Sequence, residues 1–280
     1  MAETLLSIKQ RLASIASISK ITKAMKLVAA AKYTRARALY DVNINYAAAM
    51  RDCLMLCLQN VDFSKTKRPT CMIQKDGKRN LFVFITSSLG LCGSYNFALY
   101  REFQSQVKAE DDVAFIGEKG YRHLRETVHQ AYDDFVELGS DLSFDGANHL
   151  RHWLDALYRG KDYRAVYIVY TKFVNSLSCI PVTERILPIA ETDVPVQPKR
   201  DTAPIFEPDP YAVADLIVPH YCDALLYRRL LESKVSEEAS RRNSMDTATD
   251  SADKLIAHLR LEYNKSRQQK ITQEITEVVG

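Results

Sequence analysis

Proline and glycine are missing from both ends of the chain. All nine prolines lie between Pro69 and Pro219, and eight of the nine glycines lie between Gly77 and Gly160, the ninth being the last residue. Because these two residue types interrupt regular structure most strongly, both flanks are predicted to form long helices around a compact middle. A helix of about 60 residues extends about 90 Å, so these helices must reach beyond the globular core.

Long hydrophobic runs and a strong net charge are missing as well. The longest apolar runs have about six residues, far fewer than the roughly 20 that a membrane-spanning helix needs, so we expect no transmembrane segment. Met1 leads directly into mixed sequence, without the apolar stretch of a secretory signal. The net charge is only +3, so the charge of the whole chain predicts little about its partners.

The six cysteines lack the paired spacing of a metal or redox motif. In a chain of this size, such scatter argues against a disulfide framework and against a zinc site, and we infer a reducing compartment. Cys53 and Cys57 lie one helical turn apart and are interpreted as small apolar residues of the core.

Basic residues are concentrated at the start of the chain. Residues 1–40 contain eight Lys or Arg and a single acid, Glu3. Such an excess could face nucleic acid, anionic lipid or an acidic protein surface. Nucleic acid is disfavoured, because the cations are distributed around most of the helix circumference and share it with an apolar seam.

Apolar residues recur at helical spacing in both flanks, as in the seam of a coiled coil. Helices in water need a packed apolar face, so the first and last helices are predicted to pack as an antiparallel pair within one chain. A coiled coil between two chains is the alternative. The first seam, interrupted by two bases, is Ile18, Ile21, Met25, Val28, Lys32, Arg35, Leu39, Val42, Tyr46, Ala49, Cys53 and Leu56, and the second is Met245, Ala248, Ala252, Leu255 and Leu259.

Strand-like and helix-like segments alternate in the middle of the chain. This alternation predicts a parallel, doubly wound sheet, followed by a Pro-rich connection over 191–210. The predicted fold is therefore α/β, with a small Rossmann-like domain beside a long antiparallel coiled coil. The predicted strands are 81–88, 112–117, 165–173 and 178–189, with a further strand–helix unit running from 132–138 into 146–160.

The turn SSLGLCGSYN at 87–96 is the best candidate for a chemical site, since a strand–glycine–helix turn can cradle phosphate. It lacks GxGxxG and GxxxxGK[ST], and no nearby Lys or acid completes a nucleotide site, so a structural turn is favoured. No local His accompanies Cys92, and no third metal ligand accompanies His149 and His152. We therefore assign no catalytic residue, cofactor or metal.

Four segments carry a specific pattern: ITKAMKLVAAAKYTRAR at 21–37, ITSSLGLCGSYN at 85–96, YTKFVNSLSCIPVTERILPI at 170–189 and the segment 232–280. In this order, over essentially the whole chain, they resemble the gamma subunit of F-type ATP synthases. We accordingly expect three parts. They are a long N-terminal helix at 1–65, an α/β domain with its Pro-rich connection at 66–210, and a long C-terminal helix at 211–280.

The resemblance implies a rotor that performs no chemistry itself. In this family the paired terminal helices stand inside a ring of three alpha and three beta subunits, which hold the nucleotides. The globular part meets the epsilon subunit and the membrane ring of c-subunits. A shaft that touches each beta subunit differently can impose different conformations on identical sites.

The resemblance also implies which residues meet the beta subunits. Lys23, Met25 and Lys26 would face an acidic beta loop, as would Arg241. A second beta loop, near the top of the ring, would meet Arg267, Gln268 and Thr272.

This chain departs from the family pattern at four positions. Ser88 and Leu89 replace an acid or amide and a base, and Arg242 and Ser244 replace Met and Ala. We expect a bacterial enzyme on the cytoplasmic side of the cell membrane, the matrix side of the mitochondrial inner membrane being the alternative. A different class of function, a free-standing coiled-coil adaptor with a ligand-binding α/β domain, would be folded and monodisperse alone.

Overall fold

The computed structural model describes residues 5–60, 69–140, 143–189 and 205–279. Two very long helices flank a five-stranded sheet with three shorter helices, as predicted. The elements are α1 (Leu5–Asn60), β1 (Arg79–Ile85), α2 (Tyr95–Gln106), β2 (Asp112–Ile116), α3 (Glu118–Leu124), β3 (Gln130–Tyr132), α4 (Phe144–Gly160), β4 (Tyr163–Phe173), β5 (Cys179–Leu187) and α5 (Pro210–Val279).

The antiparallel pairing of α1 with α5 is confirmed, because Ser19 meets Asp253 while Lys26 meets Asp246. The start of α5 follows from its sequence. Asp209 accepts hydrogen bonds from the next backbone amides at 2.8 and 3.0 Å, as an N-cap does. Pro210 then takes the first helical position, where its missing N–H costs nothing. The helix continues through Pro219, whose ring removes one hydrogen bond of the helix.

The seam predicted for α1 is wrong by one residue. The large apolar residues chosen for it face outward: Ile18 is 52%, Ile21 58% and Val28 57% exposed. The buried positions are their successors, which keep the 3-4 spacing but are mostly small: Ser19, Thr22, Ala29, Ala36, Tyr40, Asn43 and Ala47.

The reason for the shift is that the two backbones approach closely, so small side chains fit between them. Hydroxyl groups supply part of the adhesion, since Thr22 and Thr249 hydrogen-bond across the pair at 2.8 Å. In the second predicted seam, Met245, Ala252 and Leu259 are buried and Ala248 is half-buried. Leu255 was wrongly assigned to it and is exposed.

The sheet has the order β3-β2-β1-β4-β5, with β5 antiparallel to β4 and the other pairs parallel. The third strand is shorter and earlier than predicted, since β3 ends at Tyr132. Alternate residues of the strands face opposite cores. In β1, Val83 packs towards α4, α5 and the end of α1, while Phe84 packs towards α2 and α3.

The middle of α5 is buried because it lies between α1 and the sheet. On one side, Leu231 and Val235 pack against Ala36 and Tyr40 of α1. On the other side, the Ser233 hydroxyl accepts a hydrogen bond from the Thr171 amide of β4 at 3.3 Å. The helical pair of α1 with α5 and the α/β domain are therefore joined by one continuous helix, α5.

Several expectations are settled only in part. Cys57 is buried, as predicted, but Cys53 is exposed, because it lies on the outward face of α1. Most of the Pro-rich connection predicted over 191–210 lies outside the described residues. The boundaries 1–65, 66–210 and 211–280 stay predictions. No helix in the described part of the chain combines the length and hydropathy needed to cross a membrane.

Candidate subunit interface

The turn between β1 and α2 lies directly against α5. The strand–turn–helix arrangement predicted for 87–96 is confirmed, and Cys92 within it is 3% exposed. Gly93 has a left-handed φ of +60°, and a Cβ added there would lie 2.5 Å from Ser244 Oγ. A side chain at this position would therefore displace the Ser244 hydroxyl and would strain the left-handed backbone.

Arg241, a residue of α5, holds this turn against the helix. Its guanidinium donates to the carbonyl oxygens of Leu89 at 3.1 Å and Gly90 at 3.3 Å. It also forms ion pairs with Glu237 at 2.7 Å and Glu238 at 2.8 Å. Burial alone would lower the pKa of Arg241, but the two carboxylates outweigh it and raise that pKa above its usual value.

Lys23 and Lys26 lie on α1, and both reach across to positions of α5 beyond Arg241. Lys23 Nζ is 3.0 Å from Asp253, and Lys26 Nζ is 2.5 Å from Asp246. The bond from Lys23, followed by one from Ser19, lowers the pKa of the Asp253 carboxyl. All four charged side chains keep about half their surface in solvent, so they remain accessible from outside.

The residues predicted for the upper contact lie near the tip of α5. Fourteen residues before Ser19 reach Leu5, and fourteen residues after Asp253 reach Arg267, so the pair ends near Arg267. Arg267, Gln268 and Thr272 are exposed, and the Thr272 hydroxyl donates to the Gln268 carbonyl within the helix at 2.9 Å. From Gln268 onward, α5 extends past the described start of α1.

Exposed apolar side chains lie along α1 beside the seam. Ile18, Ile21 and Val28 each immediately precede a seam residue and so lie about 100° from it around the helix, and Leu27, 71% exposed, lies further round. A group of exposed apolar side chains of this kind marks a site of interaction with another protein. The pattern that sequence reasoning assigned to the internal seam therefore describes an external surface.

The other candidate sites gain no support. Burial raises the pKa of the Cys92 thiol, which opposes the thiolate form that a nucleophile needs. His149 and His152 are exposed on α4. Among the described residues, no group of three His, Cys, Asp or Glu is arranged to hold a metal ion.

The carboxylates that partner the predicted bases were missed by sequence reasoning. For Arg241, the i−4 and i−3 spacing of Glu237 and Glu238 was a usable signal, because side chains so spaced meet on a helix. For Lys23 and Lys26 no local signal existed, since Asp253 and Asp246 lie more than 200 residues away.

Comparison with known proteins agrees with this architecture. A family model described as ATP synthase matches residues 4–280. The ATP synthase gamma chain of Mycoplasma mobile is 35% identical, with 100% of this chain and 98% of that protein covered. The gamma chain of Heliobacterium modesticaldum is 36% identical, with 98% and 96% covered.

Solved structures show the same fold. A chain in the Euglena gracilis mitochondrial ATP synthase (OSCP/F1/c-ring) has a TM-score of 0.68 at 19% identity, covering 99% of this chain and 92% of its own length. A chain in the central stalk/c-ring structure of the Tetrahymena thermophila mitochondrial ATP synthase has a TM-score of 0.61 at 26% identity, covering 81% and 99%. These full-length matches show that the chain belongs to the family of ATP synthase gamma chains.

Proposed function

We propose that the chain is the central-stalk rotor of an F-type ATP synthase, and that it performs no chemistry itself. Its partners would be three alpha and three beta subunits around the helical pair, with the epsilon subunit and the c-ring at the globular end. The cytoplasmic face of a bacterial membrane is the proposed location. The observation that carries this proposal is the helical pair, which leaves an apolar and basic face uncovered along α1.

The geometry suits a rotor whose outer surface is contacted by the surrounding subunits. The seam is filled by small and hydroxyl-bearing residues such as Ser19, Thr22 and Ala29, so large apolar side chains remain available to partners. A ring of identical subunits around this asymmetric pair would meet a different surface in each direction. Rotor angle and site affinity are then coupled in both directions, as linkage requires.

We propose two levels of contact with the beta subunits. The lower level uses Lys23, Met25 and Lys26, with Arg241 acting through the turn that it holds, since its own side chain is only 7% exposed. The upper level uses Arg267, Gln268 and Thr272 near the tip of α5. Exposed ion pairs contribute only about 0–1 kcal/mol each, which allows such contacts to break and reform at every step.

Native purification of the tagged full-length chain from its own cells tests the assembly. We expect three alpha and three beta subunits to copurify with each tagged chain. A chain that purifies alone, monodisperse and free of ATPase subunits, would contradict the rotor and favour a free-standing adaptor. Mass spectrometry of the native complex gives the ratio directly.

Charge reversal in the complete enzyme tests the lower contact. We expect Lys23→Glu with Lys26→Glu to reduce proton pumping per ATP hydrolysed, measured by fluorescence quenching in membrane vesicles beside phosphate release. Asp246→Asn with Asp253→Asn is the matched control, because it breaks the same two ion pairs but leaves both cations. Equal loss of coupling in both double variants, or none in the first, would show that the lysines act only within the shaft.

A further inference from the structure

A cavity of about 350 Å³ opens where the β1–α2 turn, α1 and α5 meet. This volume is at the lower end of the range of about 300–1,000 Å³ that is usual for small-molecule sites. Three cations and two hydroxyl groups line the cavity, against a single carboxylate. The lining residues are Lys32, Arg35, Ser88, Leu89, Ser140, Lys234 and Glu237.

Two of these cations form no ion pair with the described residues. Lys234 is paired with Glu237 at 3.1 Å. By contrast, no carboxylate within the described residues lies within ion-pair distance of Lys32 or Arg35. Both are exposed on α1 and border the same concave surface, so their fields add there and attract anions.

The cavity also lies near the edge of the sheet at which α/β folds bind ligands. β1 has β2 on one side and β4 on the other, and the chain winds outward from β1 in both directions. Ligands of open α/β sheets bind outside the carboxyl ends of the strands at such a switch point. Ser88 lies three residues past the carboxyl end of β1, and the Ser140 hydroxyl donates to its oxygen at 3.3 Å.

We propose that this cavity binds a phosphate-type oxyanion, held by Lys32 and Arg35 with the two serine hydroxyl groups. Lysine, arginine and hydroxyl donors match the acceptor oxygens of such an anion. Leu89 is the one apolar residue among the described residues of the lining, and the cationic and hydroxyl groups around it supply donors for a phosphoryl group. The β1–α2 turn lacked cations in the sequence, and the fold brings them from two distant helices.

Lysine acetylation of the wild-type full-length chain, followed by mass spectrometry, tests the site without any substitution. We expect inorganic phosphate to protect Lys32 saturably from acetylation, while Lys9 and Lys20 on the same helix react unchanged. Protection that is equal at all three lysines, or absent at Lys32, would overturn the proposal. This result is independent of the rotor, because the copurification of ATPase subunits does not depend on the cavity.

Calorimetric titration of the full-length chain with inorganic phosphate tests the two cations. Loss of a hydrogen bond to a charged group weakens binding by about tenfold or more, so Lys32→Gln and Arg35→Gln should each raise the dissociation constant by about that factor. Lys9→Gln with Lys20→Gln, which removes two charges elsewhere on α1, should leave it unchanged. Equal weakening in this control would reduce the effect to net charge and overturn the proposal.

Other anions in the same titration define what the site recognises. Adenosine diphosphate should bind through its phosphoryl end, so inorganic phosphate should compete with it for the site. Chloride at equal ionic strength should not saturate the site. Tight binding of the nucleotide without binding of phosphate would overturn the proposal in favour of a base-recognising site.

Discussion

Replacing Arg241 by Met removes the charge that holds the turn, α5 and two buried carboxylates together. Glu237 is 3% and Glu238 1% exposed, so neither carboxylate can recover its hydration after the substitution. Met keeps an apolar stem of similar length, which limits the loss of packing. The carbonyl groups of Leu89 and Gly90 lose their donor at the same time.

The expected cost follows from these contacts. Breaking a buried ion pair on one side typically destabilises a protein by about 3–5 kcal/mol, because it strands the other charge. Here Lys234 remains 3.1 Å from Glu237 and 3.6 Å from Glu238, which compensates part of the loss. We therefore expect the free energy of unfolding to fall by about 3 kcal/mol, at the lower end of that range.

Urea unfolding of the full-length chain, followed by circular dichroism, measures this change. Arg242→Met is the matched control, because Arg242 contacts the ring of Tyr33 at 5.0 Å, an interaction of about 0.5–1 kcal/mol. Adding Glu238→Gln to the Arg241 variant should recover part of the stability. Equal losses at 241 and 242, or a loss below about 1 kcal/mol at 241, would refute the role given to Arg241.

Three further substitutions or modifications test other features. Ala29→Leu should lower the free energy of unfolding by about 1–3 kcal/mol, because it overpacks the seam. Val28→Leu on the exposed surface should change the same quantity by less than about 0.5 kcal/mol. A larger loss for Val28→Leu than for Ala29→Leu would favour the seam predicted from hydropathy. At pH 8 iodoacetamide should label Cys53 well before Cys57, because burial raises the pKa of the Cys57 thiol to about 11. Peptide mass spectrometry measures both rates, and equal labelling would contradict the burial of Cys57. Gly93→Ala should lose about 1–3 kcal/mol in the same urea assay, because φ is left-handed there, and an unchanged midpoint would contradict that backbone.

Much of the fold could be predicted because its signals are local. The absence of Gly and Pro marks helices, and apolar runs with glycine turns mark parallel strands, so element types and order followed directly. Strand lengths did not. The third strand, β3, has only three residues, Gln130–Tyr132, and its pairing with β2 rather than its own composition makes it a strand.

The register of the helical pair could not be predicted from hydropathy. An apolar repeat reports which residues avoid water in the finished assembly, and it does not say whether the cover comes from the same chain. Ile18 and Ile21 satisfy that repeat as well as any buried residue does, whereas Ser19 and Thr22 read as polar. Only the closeness of the two backbones makes small hydroxyl-bearing residues the better seam.

The two faces of α1 divide the work of a shaft. Small residues and cross-helix bonds, such as Ser19 to Asp253 at 2.8 Å, hold the pair together without using its large apolar side chains. Those side chains, with Lys32 and Arg35 beyond them, are therefore left to surfaces outside the pair. An apolar repeat that includes Lys32 and Arg35 is hard to explain as an internal seam. It is easier to explain as an outer surface, because its apolar part suits contact with surrounding subunits and its basic part suits binding of an anion.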